Sequence, residues 1–376
     1  MSPIVPFKLR IAEADLVDLK HRLDATRWPQ TFGSETWRYG ARTDFLQRFQ
    51  AYWRHEYDWR DVEARLNNYP QFLAPIDGVH IHFFHIQAKS GCGRPLLLLH
   101  GWPGSQVEFL DIIDDLSGHG PCSPGEADYD LVIPAIPGFG FGGKPAEPGW
   151  GPDRIATAFH TLMTQLGYHR YGVQGGDWGG ILGRRIAQRH SSAVAALHSN
   201  MPYAYPPAGA EPPSGYQEFR KTGTAYLSLQ ATKPDAIAPA LSDSPMGLAT
   251  WILEKFASWG DGGGDVPETI SFEHLISNIM FYWLPNSAAS AARIYFESAR
   301  EGTMPFGGSA VTVPTAIAAF AGEPYLAPRE WVERLYNVVR WEDFPTGGHF
   351  AALEQKTCLL ESIRTFFATV NFDNDD

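Results

Sequence analysis

Gly175-Gly176-Asp177-Trp178-Gly179 sets a carboxylate in the pattern small-x-nucleophile-x-small, after the apolar segment Tyr171–Gln174 and before the helical segment Gly180–Arg189. Small flanking residues let the chain turn sharply from strand to helix, and such a turn pushes its central side chain to the carboxyl edge of a sheet. The positive end of the following helix favours a carboxylate there over a carboxylic acid. The same composition also describes a plain glycine-rich loop in which Asp177 caps a helix. As a nucleophile, Asp177 selects its own chemistry. A carboxylate displaces at saturated carbon to give an alkyl ester, which can then be hydrolysed at the enzyme's carbonyl; serine would give an inert ether. The matching substrate carries a leaving group on sp³ carbon, an epoxide oxygen or a halide.

Hydrolysis of that ester needs a base and an oxyanion hole. The base candidate is His349 in Thr346-Gly347-Gly348-His349-Phe350, between the last expected strand and the last helix, with an acid expected between Asp177 and His349 in chain order. For the oxyanion, His100-Gly101-Trp102-Pro103-Gly104-Ser105 follows the apolar run Leu96–Leu99, so the N–H of Trp102 can stand beside that of Trp178. The stretch Gly138-Phe139-Gly140-Phe141-Gly142-Gly143 lacks the GxGxxG spacing and a P-loop Lys-Ser/Thr, and reads as a packed loop.

The elements that must carry these residues alternate. Strands are expected at Val79–Ile86, Leu96–Leu99, Asp130–Ile136, Tyr171–Gln174, Val313–Phe320 and Val338–Trp341. Helices are expected at Ala12–Leu23, Asp153–Leu166, Gly180–Arg189 and Thr357–Phe367. That rhythm predicts an α/β fold with a parallel sheet and right-handed crossovers. It divides the chain into a preface of helices and connectors (1–90), a first part of the core (91–201), a helical insertion rich in Pro, Gly and rings (202–302), and a second part of the core (303–376).

Composition narrows the partners. Thirty Lys and Arg against 42 Asp and Glu give a net charge of −12 over 376 residues, so no field draws in a phosphate backbone and no nucleic-acid partner is expected. The longest apolar runs, such as Pro95–Leu99 and Leu131–Pro137, fall far short of the ~20 residues that span a bilayer, and the first residues show no secretory pattern. Cys92, Cys122 and Cys358 are too few and too scattered for a disulfide framework or a zinc site, which suits a reducing cytoplasm. Twelve Trp, 15 Tyr and 23 Phe exceed ordinary packing needs and raise the expectation of a ring-lined apolar cavity.

Taken in order, several motifs resemble the α/β-hydrolase epoxide hydrolases, in the branch of the microsomal and juvenile-hormone enzymes and their soluble microbial relatives. They are His100–Ser105, Gly175–Gly180, Ala231-Thr232-Lys233-Pro234-Asp235, Ser244-Pro245-Met246-Gly247-Leu248 and Gly347–Glu354, behind the aromatic preface. The resemblance covers nearly the whole chain. It implies an α/β-hydrolase fold, a mostly parallel central sheet flanked by helices, with a helical cap inserted over 202–302. It matches the family's nucleophile to Asp177, its water-activating base to His349 and its charge-relay acid to Glu323. Glu342, Asp343 and Glu354 lie nearer to His349 in the chain, but Glu323 sits just beyond a strand end, where a triad is assembled in space. Two cap tyrosines that hold the epoxide oxygen match Tyr226 and Tyr295, with Tyr282 as a rival for the second.

The implied substrate is an apolar epoxide, converted to a vicinal diol without metal or organic cofactor, in detoxification or in biosynthesis. A soluble enzyme without a membrane anchor is expected, and a homodimer is compatible with the sequence but not specified by it. Three other readings share some of these features. A haloalkane or haloacid dehalogenase would use the same Asp and His, but would want N–H donors for a halide where this chain has Trp102 and two tyrosines. An inactive ligand-binding homologue would not need a competent residue at every position. A serine esterase would need a serine where Asp177 stands.

Overall fold

A computed structural model describes residues 3–120, 128–301 and 309–373. Cys122 and the expected cap boundary at residue 302 lie outside the described residues. Nine strands form one sheet: β1 (Val5–Phe7), β2 (Gln71–Ile76), β3 (Val79–Ile86), β4 (Arg94–Leu99), β5 (Tyr129–Pro134), β6 (Tyr171–Gly175), β7 (Val194–Ser199), β8 (Val311–Phe320) and β9 (Tyr336–Phe344). Their order is β1-β2-β3-β5-β4-β6-β7-β8-β9. The first three strands run antiparallel to their neighbours, and β5 through β9 are parallel. The central strands are buried on both faces, which is why Leu96-Leu97-Leu98-Leu99 reads as a continuous apolar run instead of alternating.

The chain moves from β4 outward to β5 and then returns to the far side of β4 for β6. Strand order therefore reverses at β4, and a crevice opens at the carboxyl ends of β4 and β6, where open α/β sheets place ligands. The loops after β4, β6, β8 and β9 carry Trp102, Asp177, Glu323 and His349.

Two features depart from the sequence expectations. The preface holds two strands besides the expected Val79–Ile86: β1 and β2 extend the sheet beyond β3, and β3 pairs with β5 across the expected boundary at residue 90. The tight turn Asp77-Gly78, with both residues at positive φ, closes the β2–β3 hairpin. Pro75 is tolerated in β2 because β1 reaches only Gln71–Leu73, so no strand flanks Pro75 on that side. The second departure is β7, wholly buried between β6 and β8, which the sequence reading passed over. Its alanines, in Val194-Ala195-Ala196-Leu197, carry no strand signal of their own.

Among the described residues of 202–302 there are helices and no strands, and five of those helices are eight residues or longer: Ser214–Thr222, Ala225–Thr232, Pro245–Trp259, Phe272–Trp283 and Ala288–Arg300. The preface straps this cap down. Phe45, Phe49 and Tyr52, from the helix Thr43–His55, place their rings 5.4, 5.2 and 5.6 Å from that of Phe272. The Trp37 indole N–H donates to Asp265 at 2.7 Å, and the Tyr57 and Ser277 hydroxyls meet at 3.1 Å. Some of the aromatic residues thus join preface to cap. Among the described residues, no helix is long and apolar enough to cross a membrane, and no group of three or more His, Cys, Asp or Glu could hold a metal ion.

Candidate active site

β6 ends at Gly175, and Asp177 opens the helix Asp177–Arg189 with φ at +49°, a left-handed conformation rare for a residue with a side chain. The helix start packs so closely on β4 that a Cβ on Gly179 would sit 1.9 Å from the Leu99 carbonyl oxygen. Only glycine fits there, and that fit fixes where Asp177 points. The carboxylate is met by two amides. Trp102 N–H donates to Asp177 Oδ1 at 2.7 Å, and the backbone N–H of Trp178 also hydrogen-bonds the group.

His349 lies beside it. Its Nδ1 is 2.8 Å from Glu323 Oε2, and its Nε2 is 3.6 Å from Asp177 Oδ2, too long for a direct hydrogen bond. Glu323 accepts a second bond from the Tyr325 N–H at 2.9 Å, which holds its carboxylate edge toward the imidazole. The other carboxylates near His349 in sequence are engaged elsewhere. Glu342 pairs with Arg340 at 2.8 Å, and Asp343 accepts from the Trp341 indole at 2.8 Å. Glu354 accepts from the N–H groups of Asp261 and Phe350 at 2.6 and 2.9 Å.

Burial pulls the His349 pKa down, but the charge and hydrogen bond of Glu323, with Asp177 and Glu108 adding to them, lift it to about 9. Burial likewise raises the Asp177 pKa, opposed by the His349 charge and the two backbone amides. The resting site is therefore an imidazolium among carboxyl groups.

The cap faces this cluster across a cavity of about 240 Å³ lined by Asp177, His349, Tyr226, Tyr295, Trp259 and Met201 among others. Tyr226 stacks flat on Trp102, with centroids 5.1 Å and planes 7° apart. Tyr295 stands edge-on to Trp178 at 4.8 Å and to Tyr226 at 5.9 Å. The Tyr295 hydroxyl is buried without a hydrogen-bond acceptor in bonding geometry, although Tyr226 and Trp178 are its near neighbours. Burial raises both phenol pKa values well above 10, so both hydroxyls stay protonated. Tyr282 is placed differently: its hydroxyl donates to the Gly104 carbonyl at 2.5 Å, and it does not line the cavity.

Two supports of the site carry no motif in the sequence. Lys255, buried in an apolar helix, holds its ammonium 4.6 Å from the Tyr226 ring centre and 5.6 Å from that of Trp259. A lone lysine between Trp251 and Trp259, one helical turn from each, was the available signal. Asp261 accepts from the Gly347 N–H at 2.7 Å, while the His349 N–H donates to the Trp259 carbonyl at 3.0 Å, so the cap connector holds the histidine loop. Its carboxylate was hidden in the glycine-rich stretch Gly260–Gly264.

Known proteins share this arrangement over most of the chain. Residues 4–109 match the model of the epoxide hydrolase N terminus, and residues 94–233 match that of the alpha/beta hydrolase fold. Epoxide hydrolase 1 of Oryctolagus cuniculus is 34% identical, over 98% of this chain and 89% of the relative. The crystal structure of juvenile hormone epoxide hydrolase from the silkworm Bombyx mori superimposes with a TM-score of 0.87 at 31% identity, covering 98% of this chain and 94% of that one. The Aspergillus niger epoxide hydrolase structure gives 0.86 at 31% identity, over 99% and 97%. With its cap, its acidic elbow residue and its preface all within these matches, the chain belongs to the epoxide hydrolase family on the α/β-hydrolase fold.

Proposed function

We propose that the protein converts an apolar epoxide to a vicinal diol through a covalent ester on Asp177. The epoxide enters the cavity between sheet and cap, and Tyr226 and Tyr295 hold its oxygen. The Asp177 carboxylate attacks a ring carbon, the C–O bond breaks, and a phenol donates its proton to the departing oxygen. A phenol suits the step because its pKa exceeds 7 yet lies far below that of the alcohol being formed.

The ester then meets water. His349, oriented by Glu323, takes a proton as the water oxygen bonds to the Asp177 carbonyl carbon, and the N–H groups of Trp102 and Trp178 stabilise the oxyanion. The resting imidazolium proton has by then neutralised the phenolate; collapse releases the diol with the proton that His349 returns, and the second water proton, left on the Asp177 carboxyl, passes to His349 and restores the resting charges. Esterification also removes the Asp177 charge that helps hold the His349 proton, so the imidazole is more readily found in the neutral form that can act as base in the intermediate than at rest.

The observation that carries this reading is the line Glu323–His349–Asp177, with two amides on the carboxylate and two buried phenols across the cavity. Alkyl-halide chemistry has less support, because the groups facing Asp177 across the cavity are hydroxyl proton donors. Incubation with styrene oxide tests the proposal: the wild-type protein forms phenylethanediol and Asp177→Asn forms none. Halide release from chloroalkanes, with no diol from epoxides, would overturn it.

A further inference from the structure

A second, smaller cavity touches the same two reacting groups from the other side. Its volume is about 20 Å³, and it is lined by Glu108, Gln174, Asn200, Asp177 and His349, with Gly101, Trp102 and Gly104. No cap residue contributes to it; all of its lining comes from the core. A single water needs roughly 10–15 Å³ measured this way and two to four polar partners, so this space suits one water and little else.

Three further observations say what the space is for. Gln174 is buried and gives its side-chain N–H to Asn200 at 3.1 Å, while its Oε1 has no partner, a buried acceptor on the cavity wall. Glu108, on the single turn Gln106–Phe109 behind the oxyanion loop, makes no ion pair among the described residues, although its carboxyl sits among the catalytic groups. Finally, the carboxyl is admitted by a glycine: a Cβ on Gly104 would lie 1.4 Å from Glu108 Oε1, and its three nearest heavy atoms would all belong to the Glu108 side chain. The loop that supplies the oxyanion amide thus also makes room for an extra carboxyl.

Resting on the ester reading above, we propose that Glu108 is a catalytic residue of the second step, holding the hydrolytic water with His349 in this core-side cavity. One O–H of the water points to His349 Nε2 and the other to Glu108, which leaves an oxygen lone pair for the Asp177 carbonyl carbon. The proton taken up goes to His349, and the new C–O bond puts the water oxygen into Asp177. The diol oxygen then leaves with the proton that His349 returns. Substrate and water so approach Asp177 from different cavities, and the apolar epoxide need not share its pocket with water. Burial pushes the Glu108 pKa up to about 8, with the His349 charge opposing and the Asp177 charge adding.

The test separates the two steps, using styrene oxide with enzyme in excess and intact mass as the readout. In Glu108→Gln the ester forms at a rate within about threefold of wild type, but its hydrolysis slows about 10–100-fold, the scale of a misplaced reactant, so the adduct accumulates. Gly104→Ala, which displaces the Glu108 carboxyl without removing it, gives the same split and serves should Glu108→Gln fail to fold. Hydrolysis within twofold of wild type in a folded variant, or equal slowing of both steps, overturns the role of Glu108. Absence of any adduct in His349→Gln overturns the ester reading itself, so the two failures are distinguishable.

Discussion

The ring of the cap residue Tyr226 lies on that of Trp102, 5.1 Å between centroids and 7° from parallel, while the backbone N–H of Trp102 donates to the Asp177 carboxylate at 2.7 Å. One residue thereby sets the cap phenol and the Asp177 carboxylate in a common frame. The cap is registered on that carboxylate by ring packing, and not only by the connectors at its ends.

Removing hydroxyls while keeping rings follows from that frame. Tyr226→Phe and Tyr295→Phe each retain the stacking and each lower the alkylation rate about tenfold, because one phenol remains. The double variant loses about 10²-fold or more, the usual worth of a positioned acid. Stopped-flow tryptophan fluorescence on styrene oxide reads the step directly. A double variant that alkylates at the wild-type rate removes the tyrosines from the mechanism.

The two steps also separate by pH. His349 reaches about 9 in the resting site, held there against burial by Glu323 first and by the other carboxyls after it. Ester hydrolysis, which needs the neutral imidazole, rises with pH, and its midpoint lies below 9 because Asp177 is uncharged in the ester. Glu323→Gln removes the largest contribution that raises the pKa, so the midpoint moves lower still while the maximal rate falls. Rates of adduct decay between pH 5 and 10 check this; an upward shift in Glu323→Gln contradicts it.

The same group links to stability with a definite sign. A histidine lifted from 6.5 to about 9 on folding binds more protons folded than unfolded, so its contribution is complete below pH 6.5 and lost as pH rises through 9. His82, His100 and His198 act oppositely. Burial lowers each to about 4, so their contribution is complete above pH 6.5 and lost as pH falls toward 4. Calorimetry should show Tm falling on both sides, with His349→Gln flattening only the alkaline side. An alkaline slope unchanged in His349→Gln would contradict the assignment.

Much of the fold was legible because parallel strands buried on both faces read as apolar runs, and the motifs fall at their carboxyl ends. Leu96–Leu99 and Tyr171–Gln174 named β4 and β6 to within two residues, and the glycines around Asp177 marked the turn that the close approach to Leu99 demands. β7 escaped notice because alanines carry little strand signal. β1 and β2 escaped because an edge with Pro75 and only three residues of partner strand lacks a regular pattern. In the site, spacing could name Asp177 and His349, but Glu323 needed a resemblance, since three nearer carboxylates were equal candidates in one dimension. Glu108 was invisible for a different reason. A glutamate between Val107 and Phe109 reads as the solvated side of a turn, and only the missing Cβ of Gly104 reveals where its carboxyl goes.

The central claim is that Asp177, and not water, attacks the substrate first. A single turnover of styrene oxide in ¹⁸O-labelled water, with enzyme in excess, tests it most directly. The covalent route predicts unlabelled diol on the first turnover and one ¹⁸O in the peptide carrying Asp177. Labelled diol with an unlabelled Asp177 would contradict it.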